Sequence, residues 1–376
     1  MLIERKYNVQ FVTPGFVGGA DQSGEWRSPP FKALLRQWWR VVWWHTVKDP
    51  TLQALRKAEG DLFGWAADTE KKAKKSQVLL RLESWKQGSQ TDQDFNKIRF
   101  PKIEHPEVKD RQGKTRRIAA SLYLGYGPVT FEKDSAALKR ARAVAPGEKQ
   151  TLTVRFPSAE EKCFQDVLKL IALFGTLGSR SRNGWGSLSL VPEEPARQEW
   201  PPATDFFNPE TTQARDWIKR FSQDYRSALG EDWCHSIGKD EKGLLLWCTK
   251  AIEKWEDVLG ELAKAKIAFR TQFPFEGGVR HQKRCDRQIL AYPVTNHILD
   301  SWGQENRLAN QILFKVLPDG KDRYRGLVVH MPHGLPKPLK DKLDSSTEST
   351  LKEREPKVWS KVHQTLDWHH GLIRLP

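Results

Sequence analysis

The stretch PPFKALLRQWWRVVWW, residues 29 to 44, places Lys32, Arg36 and Arg40 at i, i+4 and i+8, with Trp39 and Trp43 on the same side of one helix. Cationic side chains neutralise phosphates, and an indole face left beside them can stack a base, contributing roughly 1 to 3 kcal/mol per base. The same residues fit a second reading, in which the two indoles pack under another subunit or under the protein's own loop, with the arginines over them as cation–π pairs. A second group lies in FGTLGSRSRNGWGSLSL, residues 174 to 190. Gly175, Gly178, Gly184 and Gly186 permit positive φ and close backbone approach. Arg180, Arg182 and the amides around Ser179 and Ser181 would face a phosphate. Glycines alone would read as a helix C-cap and a hairpin; the two arginines turn the reading toward anion binding. No Gly-Lys-Ser/Thr follows, and the strand-before, helix-after setting of a dinucleotide site is missing, so no nucleotide cofactor is expected.

His45 is the obvious general acid or base, yet the helical wheel puts it beside Trp38 and Val42 in the buried sector. His369 and His370 stand near a chain end, where disorder is common. Cys163, Cys234, Cys248 and Cys285 are far apart with no CxxC pair, which predicts reduced, mostly buried thiols and neither a zinc knuckle nor a disulfide framework. No acidic pair with a neighbouring histidine has metal-ligand spacing, so a metal nuclease is not expected.

The elements that must position these groups can be read from periodicity. Tyr7, Val9 and Phe11 alternate as a strand that ends at Pro14 and glycines 15, 18 and 19. Ser28 is the expected N-cap of the first helix, with Pro29 and Pro30 in its first turn and Asp49 and Pro50 closing it. Phe31, Leu34, Leu35, Trp38, Val41 and Val42 fall in one sector and form its buried stripe. TLTVRF (151–156) alternates as a strand, SAEE (158–161) offers a capping box, and Phe164, Val167, Leu168, Ile171 and Phe174 keep helical spacing behind it. PEEPARQEWPPATDFFNPE (192–210) reads as a linker. Beyond it, helices are expected around 211–227 and 242–265. A hairpin is expected from RLANQILFKV, the Pro-Asp-Gly turn at 318–320 and YRGLVVHMPH. The echo of GFVGG in PFEGG (274–278) hints at a repeated module.

The chain of 376 residues carries a formal charge of +15, the footprint of a polyanion binder, with nucleic acid the first suspect. The lysines of EKKAKKSQ (70–77) read as a solvated loop. The longest apolar run, VLKLIALFGTLG, is broken by Lys169 and too short to cross a bilayer, and the N-terminus lacks an apolar leader with a cleavage site. No membrane and a cytoplasmic location are expected.

Taken together, FVTPGFVGGAD after the first strand, RSPPFKALLRQWWR on the first helix, YLGYGP (123–128), FGTLGSRSRNGWGSL and RLANQILFKV resemble the RAMP proteins of CRISPR systems. Within them they are most similar to the first Cmr subunit of type III-B effector complexes. The resemblance implies an α+β fold of two tandem ferredoxin-like, RRM-type modules, here residues 1–192 and a divergent 211–376 joined by linker 193–210. It further implies a noncatalytic subunit in the head of a guide-RNA complex, near the guide's 3′ end, contacting target RNA while other subunits cut. Lys32, Arg36, Trp39 and Arg40 match the family's helix motif. Gly175, Gly178, Ser179, Arg180, Arg182, Gly184 and Gly186 match its loop, whereas Asn183 stands where the family commonly has a basic residue. The expected RNA contacts are therefore Lys32, Arg36, Trp39, Arg40, Trp43, Gly178, Ser179, Arg180, Ser181, Arg182 and Gly184. The expected partners are single-stranded RNA, target and possibly guide, and other Cmr subunits, with no cofactor or metal. Some RAMP relatives cut RNA without metal through a histidine near the first helix, so an endoribonuclease using His45 is the alternative.

Overall fold

The computed structural model describes all residues except 20, 68–72, 133–134, 194–199, 201–202, 276–277, 283, 321 and 344. Ala20 of the first Gly-rich bend, the start of EKKAKKSQ, residues 194–199 and 201–202 of the expected linker and the centre of PFEGG thus lie outside the described residues.

In the first half, β1 (Leu2–Phe11) turns Tyr7, Val9 and Phe11 inward. Next, α1 (Ser28–Thr46) buries Phe31, Leu34, Leu35, Trp38, Val41 and Val42, the whole of the expected stripe. Its N-cap is Arg27 rather than Ser28, and no side chain caps it, because Ser28 has already entered the first turn with Pro29. A second helix, α2 (Leu52–Phe63), returns against α1, and β2 (Leu79–Leu82) follows. The chain then makes a long excursion: α3 (Asp92–Lys97), the hairpin β3 (Lys102–Lys109) and β4 (Thr115–Ala119), α4 (Ala120–Gly125), and the hairpin β5 (Val129–Glu132) and β6 (Ser135–Leu138). It comes back as β7 (Lys149–Pro157), α5 (Glu161–Phe174) and β8 (Leu188–Pro192). The expected capping box at Ser158 is not formed. A 3-10 turn takes up Ser158–Glu160, and neither it nor α5 has a side-chain cap. The sheet order is β8-β1-β7-β2, every pair antiparallel, with α1 and α5 packed together on it. Trp38 stacks on Phe174 at 5.5 Å and Phe156 on Phe164 at 4.4 Å, so the aromatic residues of strand and helices join in one core.

The second half departs from the expected helices. Residues 211–227 hold only single turns around the strand β9 (Ser222–Asp224); of the expected 242–265 only 255–265 is helical, and 243–244 and 246–248 are strands. LLLWC is a short run buried at every position, so its periodicity could not separate a strand from a buried helix. β10 (Ile237–Asp240) and β11 (Gly243–Leu244) complete a ladder with β9. There follow β12 (Leu246–Cys248), α6 (Trp255–Thr271), the expected hairpin β13 (Ile312–Pro318) and β14 (Tyr324–His330), α7 (Ser345–Trp368) and β15 (Ile373–Arg374). Their sheet order is β13-β14-β12-β15, again antiparallel throughout. His369 and His370 are not frayed: their rings stack at 5.0 Å, and β15 pairs with β12 just after them. All four cysteines are free, Cys248 buried and the others half-buried.

Neither apolar core is confined to one half. Val12 and Trp185 sit among residues of α6 and β13, and Leu313 and Val329 sit among those of α1 and α5. Lys315 of β13, wholly buried, donates to the carbonyls of Ile171 and Ala172 at 3.1 and 2.6 Å, supplying partners to the last turn of α5 from the other half. Burial lowers its ammonium pKa well below the ordinary lysine value.

Candidate nucleic-acid interface

The basic row of α1 is engaged inside the protein. Glu59 of α2 accepts from Arg36 Nε at 2.7 Å, from Arg40 Nε at 2.9 Å and from Arg40 Nη2 at 2.7 Å, so one carboxylate holds both guanidinium groups. Burial alone would raise the Glu59 carboxyl, but hydrogen bonds from Arg40 and Arg36 outweigh it and the pKa is lowered. Lys32 donates to the Phe63 carbonyl at 3.3 Å, at the C-terminus of α2, where a cation also suits the helix dipole. Trp39 corrects the sequence reading. It is only 2% exposed, edge-on to Phe63 at 5.7 Å and tilted on Trp43 at 6.0 Å, with no free face for a base. Trp43 is half-buried beside it. The row has the second arrangement considered above: indoles under the protein's own α2, with Arg36 over the Phe63 ring at 5.9 Å.

The Gly-rich loop divides into two parts with different surroundings. Gly178, Ser179 and Arg180 are exposed. Gly178 has φ +93°, and a β-carbon there would lie 2.6 Å from the Phe16 carbonyl oxygen, so only glycine fits this crossing. The Ser179 amide already donates to that carbonyl at 2.9 Å and is not free for a phosphate, contrary to expectation. The amides of Arg180 and Ser181 have no acceptor among the described residues. Arg180 Nε donates to the Tyr126 carbonyl at 2.7 Å, leaving its outer nitrogens open. Arg182 faces the other way. Its side chain donates to the Asn310 carbonyl, and its own carbonyl accepts from Phe314 of β13 at 2.9 Å. Gly184, buried at φ +86°, lies against Leu259 of α6, where a β-carbon would be 2.9 Å from Leu259 Cδ2. Asn183 donates to the Leu124 carbonyl at 2.8 Å and accepts from buried Lys266 at 2.8 Å. A lysine or arginine in its place would bring only donors and take away the acceptor that Lys266 uses.

A cleft of about 510 Å³ opens beside the exposed half of the loop. Phe16 and Gly18 form one wall, Gly178 to Arg180 another, and the segment after β6 brings Lys139, Arg140 and Arg142. None of the lining residues is acidic. Arg140 donates to the side-chain oxygen of Gln22, a neutral partner, and neither Lys139 nor Arg142 has a side-chain partner among the described residues. The four cations of the cleft therefore have no counter-ion among the described residues, whereas Arg36 and Arg40 share one. Tyr126, 63% exposed, stands beside it through its bond to Arg180.

His45 lies apart from this cleft. Its Nε2 is 2.9 Å from Ser236 Oγ, and its ring meets Phe221 edge-on, both from the second half. Burial, with His235 and Lys239 nearby, lowers its pKa to about 4, so the imidazole is neutral at pH 7.

The glycine crossing at Phe16, the α1/α5 pair and most of the antiparallel first sheet fall between residues 8 and 189, and this span matches the model of the RAMP superfamily. Through these residues the chain is similar to the RAMP superfamily. No curated protein matches the sequence. Among solved structures, the chain is similar to Cmr1 from Pyrococcus furiosus, with 16% identity, 91% of each chain covered and a TM-score of 0.45. It is also similar to a chain of the type III-B Cmr-beta complex bound to cognate target RNA, with 14% identity, 95% of this chain and 99% of that one covered and a TM-score of 0.45.

Sequence reasoning missed Lys139, Arg140, Arg142 and Tyr126. The run LKRAR carried a signal, but the more conspicuous EKKAKKSQ drew the weight given to charge runs. The difference is in what surrounds each cation, which a sequence does not print.

Proposed function

We propose that this chain is a noncatalytic RNA-binding subunit of a type III-B CRISPR effector complex that grips single-stranded RNA in the cleft beside the Gly-rich loop. The observation that carries the reading is four uncompensated cations, Lys139, Arg140, Arg142 and Arg180, lining a cleft with no carboxylate next to two open backbone amides. Phosphates are the ligands such a lining suits, and Tyr126 adds a ring on which a base can stack. The RAMP match, with the helix and loop motifs of the sequence, supports assignment to the Cmr group and a place near the guide's 3′ end against target RNA. The β8-β1-β7-β2 and β13-β14-β12-β15 orders, each in a strand-helix-strand-strand-helix-strand succession, support two tandem ferredoxin-like modules joined through 193–210. No helix among the described residues is long and apolar enough to cross a membrane.

In this reading Arg180, Gly178 and Ser179 remain at the RNA. Lys32, Arg36, Trp39, Arg40, Arg182 and Gly184 hold the fold together. Fluorescence anisotropy with labelled single-stranded RNA separates the two sets: Arg140→Ala with Arg142→Ala weakens binding and leaves the melting temperature unchanged, while Arg36→Ala with Arg40→Ala does the reverse. Loss of RNA affinity only in the helix pair would return the site to α1 and end this reading. Incubation with repeat RNA in EDTA should give no cleavage; cleavage abolished by His45→Ala would establish the nuclease instead.

A further inference from the structure

The excursion between β2 and β7 carries a second basic groove, of about 540 Å³, under the β3–β4 hairpin. Arg99, Lys102, Arg116 and Arg117 line it, and no lining residue is acidic. All four are exposed and none makes an ion pair or side-chain hydrogen bond among the described residues. Phe131, 54% exposed, stands at its edge. In its wall Ser121 is fully buried, with a hydroxyl that has no partner among the described residues. The groove adjoins the first cleft through one ladder. Phe131 faces Ala136, and two residues along the same face Val129 faces Leu138, which lines the first cleft.

We infer that this groove is a second RNA subsite, so that one single strand runs from the Gly-rich loop over the β5–β6 hairpin to the β3–β4 hairpin. The inference rests on the RNA reading of the first cleft. Free cations on one side of an exposed ring suit a phosphate chain with a stacked base. An acidic peptide would use the charges and leave the Phe131 ring without a planar partner.

The test is anisotropy of a labelled single-stranded RNA of about 25 nucleotides against salt. The proteins are wild type, Arg116→Ala with Arg117→Ala, Phe131→Ala, Phe131→Trp, and Arg140→Ala with Arg142→Ala. Two phosphate contacts at roughly 0.7 in slope each flatten the log–log salt dependence by about 1.4, which is roughly a 25-fold loss at 0.1 M if the curves meet at 1 M. Phe131→Ala should lose about fivefold or more with the slope unchanged, because stacking releases no counter-ion, and Phe131→Trp should retain binding. If the Arg116/Arg117 variant binds as wild type while the Arg140/Arg142 variant is weakened, the second subsite is refuted and the first cleft stands. If both bind as wild type, the RNA reading of the cleft fails as well. Unchanged RNA binding with lost binding of a polyglutamate peptide by the Arg116/Arg117 variant would make the groove a protein-docking site and overturn the inference. Arg116, Arg117, Phe131 and Arg140 are exposed and Arg142 is half-buried, and equal melting temperatures verify that each variant is folded.

Discussion

Replacing Glu59 with Gln tests the reassignment of the α1 row. The carboxylate is 6% exposed and accepts three charge-assisted hydrogen bonds from Arg36 and Arg40. Such bonds contribute roughly 1.5 to 3 kcal/mol each when buried. Here the guanidinium groups are about 40% exposed, so solvent screens much of that, and the amide keeps one acceptor and the shape. A loss of about 2 kcal/mol at pH 7 is the expected result, read from the midpoint of a urea titration. The pH dependence gives an independent sign. Because the folded carboxyl is lowered, its contribution is present above the unfolded value near 4.5 and disappears as pH falls through the folded value, so the variant and the wild type converge in acid. Freeing two guanidinium charges should leave RNA affinity within about twofold, since these cations lie outside the cleft. A variant as stable as wild type at pH 7, or one that binds RNA tenfold more tightly, would refute the structural role given to the row.

Gly184→Val should destabilise by about 2 kcal/mol or more, from positive φ at a β-branched residue and contact with Leu259, while RNA affinity of the folded fraction stays unchanged. Differential scanning calorimetry with anisotropy separates the two effects; a weakened affinity at unchanged stability would restore Gly184 to the binding site. His45 should show no NMR titration between pH 5.5 and 8, because its folded pKa is about 4. Its neutral form is favoured in the fold, so it contributes to a loss of stability as pH falls from 6.5 toward 4, and His45→Gln should flatten that slope. A midpoint near 6.5 for His45 would contradict its burial.

What periodicity could report, it reported. The α1 stripe from Phe31 to Val42 and the alternation in β1 and β7 repeat at the period of their own element, which local geometry alone sets, while the Pro-Asp-Gly turn at 318–320 marked the β13–β14 hairpin. LLLWC failed because a wholly buried strand has no polar face to alternate with. The site was half legible for a related reason. A helical wheel fixed the direction of Lys32, Arg36, Trp39 and Arg40 but not what stood opposite them. Glu59 arrives from a helix folded back through residues 47–51, and Phe63 closes over Trp39 only because that helix packs there. Conversely, Lys139, Arg140 and Arg142 meet Arg180 only when the excursion after β2 is brought back to the Gly-rich loop. Sequence by itself determined which residues were cationic, which stripes were apolar and where only glycine could turn. Tertiary structure decided which cations are left unpaired, because the field at a site depends on distance to counter-charges far away in the chain and on the water left between them.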